Sequence, residues 1–182
     1  MTSARIAPLD PPYTAEMQAD FDKVMRGLPP LKLFRTVGRN PRVLSRLIAG
    51  GLLDRGSISL RARELMILRT CARCGAEYEW GVHVAAYNTK AGFTPEQLHA
   101  SVHGDAAAPV WTREDAAVVK LADALHEKHD VNDALWGELK SVYADDQLIE
   151  LVMLAGLYRA VSYLINATRL EREAMAPRFP AA

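Results

Sequence analysis

Glu79 and His83 stand four residues apart within Glu77-Tyr78-Glu79-Trp80-Gly81-Val82-His83. On one α-helix, positions i and i+4 share a face, so this spacing predicts a carboxyl group beside an imidazole. Trp80, three residues before His83, falls on nearly the same stripe, and Tyr78, Val82 and Val84 add apolar bulk around the pair. A carboxylate and an imidazole in such company need partners or shifted pKa values, and a pair so tuned can move a proton near neutral pH. Glu64 joins them if the chain folds back around Gly75. The predicted catalytic set is therefore His83, Glu79 and Glu64, with Tyr78 and Trp80 walling a small substrate. Glu77 lies six residues before His83, off its stripe. The plainer reading is a helix-surface Glu79–His83 pair worth about 0.5 kcal/mol or less.

Arg61, Arg63, Arg69 and Arg73 repeat along the preceding segment. One of them, Arg73 being the candidate, could grip a substrate carboxylate through a forked pair of hydrogen bonds, while most should face solvent. Cys71 and Cys74 form a C-x-x-C pair that permits disulfide exchange when one thiol sits at a helix N-terminus. Their predicted helix begins a dozen residues earlier, so its positive end is remote, and buried cysteines are often inert. Zinc held by Cys71, Cys74 and His83 with His99 or His103 lacks a second paired motif. No metal is expected.

The elements that must position these groups are helices. Turn signals cut the chain into helical pieces, and no run alternates apolar with polar residues as a strand would, so the predicted class is all-α. Residues 1–30 read as an arm with one helix, capped by Thr14 and stopped by Gly27 and Pro29-Pro30; 31–170 form the main helical domain and 171–182 a frayed tail. Within the domain a short helical piece at 31–34 precedes a helix from Asn40-Pro41 through Leu53. Ser59 caps a helix to about Arg73, a second runs from about Ala76 to Ala91 and stops at Gly92, and Thr94-Pro95-Glu96-Gln97 opens the next with a full capping box. Thr112, Asn132 and Asp145 cap three more, the last reaching Leu170. Glu64-Leu65-Met66-Ile67-Leu68 is echoed by Glu150-Leu151-Val152-Met153-Leu154, with Arg73 and Arg159 at the same offset, which suggests two related helical halves.

The 182 residues suit one domain with a substantial core, and 22 basic against 22 acidic residues leave no net field for a polyanion. No nucleic-acid partner is expected. The first twenty residues lack a signal-peptide core and no run approaches the length needed to cross a bilayer, so the expectation is a cytoplasmic protein without a membrane partner. Apolar residues at 49% exceed what one small core requires and point to a homo-oligomer.

The stretches R-A-R-E-L-M-I-L-R and G-A-E-Y-E-W-G-V-H-V-A-A-Y-N-T-K-A-G-F-T-P-E-Q-L resemble the carboxymuconolactone decarboxylase family, which also holds the AhpD-like alkylhydroperoxidases. The resemblance covers about residues 59–98, and Leu148–Asn166 looks like the family's last helix. It implies an all-α AhpD-like subunit assembling into trimers, hexamers or related rings, dimers included. Peroxidase members place two cysteines between a Glu and a His. Counting from Glu64 and back from His83, those positions fall on Ala76 and Glu79, and Cys71 and Cys74 come five residues early. Five residues rotate a helical side chain by about 500°, a net 140° or so, so these sulfurs cannot replace the family's on the same face. The resemblance therefore implies the decarboxylase branch: a cofactor-independent lyase in which His83 and the acids protonate a carbanion or enolate as carbon dioxide leaves a small acidic lactone. A thiol peroxidase using Cys71 and Cys74, with peroxiredoxin-type oxidoreductase activity, and a non-catalytic oligomeric binding protein are the alternatives.

Overall fold

The computed structural model describes residues 4–182. Among them the secondary structure is nine helices and no strand: α1 Ala15–Met25, α2 Lys32–Val37, α3 Pro41–Ala49, α4 Leu60–Arg73, α5 Glu77–Ala91, α6 Pro95–His103, α7 Arg113–Lys128, α8 Asp133–Lys140 and α9 Asp145–Thr168. The all-α class stands.

Local chemistry explains most boundaries. Thr14, Asn40, Ser59, Thr94, Thr112 and Asn132 each accept a hydrogen bond from a backbone N–H in the first turn that follows. The Thr94–Gln97 capping box forms with both of its bonds. α9 differs from expectation: its cap is Ala144, which has no side-chain acceptor, and the Ala144 N–H donates instead to Gln147 Oε1 at 3.0 Å. α3 also ends earlier than its apolar run suggests, at Ala49.

α4 is the central helix. Ten of its fourteen residues are buried, and α5, α6, α7 and α9 pack around it. Its arginines meet carboxylates of α7 at a constant offset of 54 residues: Arg61 with Asp115 at 2.8 Å, Arg69 with Asp123 at 2.7 Å and Arg73 with Glu127 at 2.5 Å. A constant offset means that the two helices run parallel and in register. The expectation that most of these arginines face solvent fails. Arg69 is only 2% exposed and donates a two-nitrogen fork to Asp123, because a guanidinium can enter a core only with its charge paired.

A second apolar cluster joins α1, α2 and α3 to one face of α5 and to α9 through Phe21, Leu33, Leu44, Tyr78, Val82 and Ile165. The tail is not frayed. Ala176 is 1% exposed, Phe179 packs edge-on to Trp80 with ring centroids 5.5 Å apart, and the Phe179 N–H donates to Glu77 Oε1 at 3.0 Å. Gly81 makes this docking possible, since a Cβ there would run into the Pro177 carbonyl.

The expectation that no run reaches bilayer length also needs correcting. By length and composition α9 could cross a membrane. Its inner side is core, with Leu148, Leu151, Leu154, Ala155 and Tyr158 buried against the bundle.

Candidate active site

The α4–α5 hairpin builds the site. Gly75 takes a left-handed φ of 65°, which lets the Ala76 N–H return to the Cys71 carbonyl at 2.8 Å and reverses the chain within two residues. The reversal lays the middle of α5 against the first half of α4. Glu64 and His83, 19 residues apart, thereby meet with Glu64 Oε2 2.7 Å from His83 Nδ1. Glu79, one turn before His83 on α5, places Oε1 3.6 Å from His83 Nε2. The three side chains form one line, carboxyl–imidazole–carboxyl, and they are 1%, 5% and 4% exposed for Glu64, Glu79 and His83.

Arg63 supplies a further charge. Its Nε donates to Glu64 Oε1 at 2.9 Å, and another nitrogen donates to the Leu53 carbonyl at 2.9 Å. Two aromatic rings close the cluster. Tyr158 of α9 meets the imidazole edge-on at 5.0 Å between centroids, and Tyr87, one turn after His83, lies tilted over it at 5.4 Å while carrying Arg63 over its own ring.

Burial alone would drive His83 toward the neutral form. Hydrogen bonding and charge from Glu64 and Glu79 outweigh it and raise the imidazole pKa from 6.5 to about 9. His83 is therefore an imidazolium at neutral pH, and with Arg63 it balances the two carboxylates. Glu64 holds Nδ1 and leaves Nε2 aimed at Glu79 across a gap too long for a good hydrogen bond. Glu79 Oε2 is buried with no hydrogen-bond partner. A proton donor thus stands 3.6 Å from one oxygen of a carboxyl group whose other oxygen is unsatisfied, an arrangement able to hand a proton to a polar group that reaches Nε2 and to steady it there. Burial, with the charges of Glu79 and Glu64 adding to it, pushes the Tyr158 hydroxyl well above its ordinary pKa, so it stays protonated beside the pair.

The residues expected to hold substrate lie elsewhere. Tyr78 is turned to the second apolar cluster, where its hydroxyl accepts from the Leu33 N–H at 3.1 Å and donates to Glu173 at 2.8 Å. Trp80 donates to Ser101 Oγ at 3.0 Å and packs under the tail. Arg73 is held by Glu127 and Asp123 on α7. None of the three converges on His83. The aromatic groups that do, Tyr87 and Tyr158, were not in the expected set. Tyr87 follows His83 by four residues and was legible as a same-face neighbour, whereas Tyr158 arrives from α9 and left no local signal.

Both cysteines are free thiols. Cys71 is fully buried, and burial, with the charge of Glu79 adding to it, pushes its thiol well above the ordinary value; Cys74, half-buried with Sγ 3.8 Å from His126 Nδ1, is raised by burial too. Neither environment favours a thiolate. Among the described residues no three His, Cys, Asp or Glu side chains are grouped so as to hold a metal ion.

Residues 41–124 match the carboxymuconolactone decarboxylase family. The likeness spans the middle of the chain. The matched segment runs from α3 into α7 and includes Glu64, Glu79 and His83, while Tyr158 lies beyond it. No curated protein matches the chain. Among solved structures, an uncharacterised peroxidase-related protein from Silicibacter sp. TM1040 superposes with a TM-score of 0.79 at 18% identity, covering 95% of this chain and 93% of that one. An AhpD-core peroxidase-related protein from Ralstonia eutropha JMP134 gives 0.79 at 15% identity, with 94% and 95% covered, and the debrominase Bmp8 gives 0.73 at 14%, with 93% and 92% covered. At these identities the likeness is one of fold. This chain places Ala76 at the foot of α5 and Glu79 against His83, the two positions that its sequence aligned with the peroxidase thiols.

Proposed function

We propose that this protein is a cofactor-independent acid–base enzyme acting on a small acidic lactone-type substrate, with His83 as the proton donor. The observation that carries this reading is the Glu64–His83–Glu79 line, in which Nδ1 is fixed, Nε2 lies 3.6 Å from Glu79 Oε1, and the other oxygen of that carboxyl group, Oε2, is buried without a partner. Glu64 orients and charges the imidazole, and Glu79 steadies the reacting group. Tyr87 lies half-exposed over the imidazole, on the side this reading assigns to substrate entry.

In a decarboxylation the C–CO2 bond breaks and its electron pair passes into the conjugated lactone carbonyl. Carbon dioxide leaves, and the carbanionic carbon takes the proton from His83 Nε2. The neutral imidazole regains a proton from solvent, which closes the cycle without an external oxidant or reductant. The match of residues 41–124 to the carboxymuconolactone decarboxylase family supports an enzyme of this kind, and the protein is read as a cytoplasmic one.

The test is turnover of 4-carboxymuconolactone and a set of small unsaturated lactone carboxylic acids, followed by carbon dioxide release, in wild type and His83→Gln. Loss of about 10²-fold or more in kcat with folding intact supports the reading, and an unchanged rate removes His83 from the mechanism. The thiol-peroxidase alternative draws support from the peroxidase-related fold neighbours, but the burial of Cys71 and the raised pKa of both thiols weigh against it. Silence in both assays would favour a binding protein without catalysis.

A further inference from the structure

α6 carries two histidines one turn apart on its solvent side. His99 and His103 are both exposed, and their rings lie tilted against each other with centroids 4.8 Å apart. Positions i and i+4 share a helix face, so this spacing gathers two imidazoles without help from any other element. The pair borders an open surface groove, and Glu96, three residues before His99, adds a negative charge to its rim. His103 is the last residue of α6, where the unpaired carbonyls of the final turn make the negative end of the helix and favour a cation.

The C-terminal tail fixes the chemistry of one ring. His103 Nε2 lies 2.8 Å from the Pro180 carbonyl oxygen, a contact between residues 77 positions apart. A carbonyl oxygen only accepts, so Nε2 carries the hydrogen, and the neutral ring keeps its lone pair on Nδ1. An imidazole that gives one N–H to a backbone carbonyl and offers its other nitrogen is the arrangement found behind metal-bound histidines. There the outer hydrogen bond selects the tautomer, holds the ring and raises its basicity.

We infer that His99 and His103 form a surface site for a borderline divalent transition-metal ion of the Ni2+, Cu2+ or Zn2+ kind, and that the ion, acting through His103, ties the C-terminal tail to α6. Imidazole nitrogens select such ions over Mg2+ and Ca2+, which prefer oxygen. Among the described residues no third ligand joins the pair, so water fills the remaining coordination positions. An ion on the ring draws electron density from it and makes the Nε2–H a stronger donor to Pro180. By linkage, a docked tail strengthens binding of the ion by the same factor. The tail rests on Glu77 and Trp80 of α5, so the ion bears on the helix that carries His83 from outside the acid–base site.

The inference needs no substrate and stands apart from the acid–base reading. Calorimetric titration of the full chain with NiCl2 tests it. Wild type binds one Ni2+ per chain; His99→Ala and His103→Ala each weaken binding about tenfold or more with helical content unchanged by circular dichroism, and His126→Ala, which removes the imidazole beside Cys74, leaves binding as it was. Phe179→Ala, which loosens the tail and alters neither histidine, weakens Ni2+ severalfold. In the reverse direction, saturating Ni2+ slows removal of the C-terminal residues by a serine carboxypeptidase in wild type and has no such effect in His103→Ala. Absence of Ni2+ binding at submillimolar concentration overturns the inference. So does binding that survives both histidine substitutions, an affinity that Phe179→Ala leaves unchanged, or a tail that is digested at the same rate with and without the ion.

Discussion

Glu64 Oε2 sits 2.7 Å from His83 Nδ1, although the two residues come from different helices and are 19 positions apart. The contact sets the ring orientation, supplies most of what keeps the imidazole charged in a buried site, and is itself fixed by Arg63 on the other carboxyl oxygen.

The imidazole should titrate near pH 9 by NMR, against 6.5 for an ordinary histidine. The sign of the linked stability follows: the folded pKa lies above the unfolded one, so the contribution is complete below about pH 6.5 and disappears as pH rises through 9. It is on the order of 3 kcal/mol. Thermal midpoints of wild type should therefore drop across pH 7–10 more steeply than those of His83→Gln. Titration below 6.5 would mean that burial wins over the carboxylates.

Glu64→Gln removes one anion from a buried set of two cations and two anions. The remaining uncompensated charge should cost about 3–5 kcal/mol in urea unfolding, and the His83 pKa should fall. Stability equal to wild type would show that Arg63 and His83 do not depend on this carboxylate.

Thiol labelling should separate the cysteines. Cys74, half-buried, reacts slowly in the native protein, and Cys71 reacts only after unfolding. Peroxide that consumes both native thiols together would contradict this and revive a redox role.

Gly81→Ala should release the C-terminal tail, because the added methyl meets the Pro177 carbonyl and Ala176 Cβ, the latter at 3.2 Å. The expected cost is about 1–3 kcal/mol. Altered Trp80 fluorescence and faster proteolysis near Phe179 would report the release, and an unchanged tail would mean that the backbone shifts to accept the methyl.

Much of the fold was legible before the coordinates. Cap residues and punctuating glycines act over four or five residues, which is why the starts of α4, α6, α7 and α8 fell where Ser59, Thr94, Thr112 and Asn132 placed them. α9 was misjudged at its cap because Ala144 is capped by Gln147 alone, and its bilayer-length apolar run was passed over. The tail Ala-Pro-Arg-Phe reads as a fraying end in sequence, and only a groove over Gly81 makes it a docked one.

The sequence by itself determined that Glu79 and His83 share a helix face, because a fixed 3.6-residue repeat converts spacing into proximity. It also carried, unread, the 54-residue register of the arginines on α4 with the acids on α7. Only the tertiary structure decided which helix faces turn inward. That choice brought Glu64, Tyr87 and Tyr158 to the imidazole, sent Tyr78, Trp80 and Arg73 to packing and ion pairs elsewhere, and buried the thiols. Such outcomes depend on the burial of whole faces summed over the bundle, a quantity that no local spacing encodes.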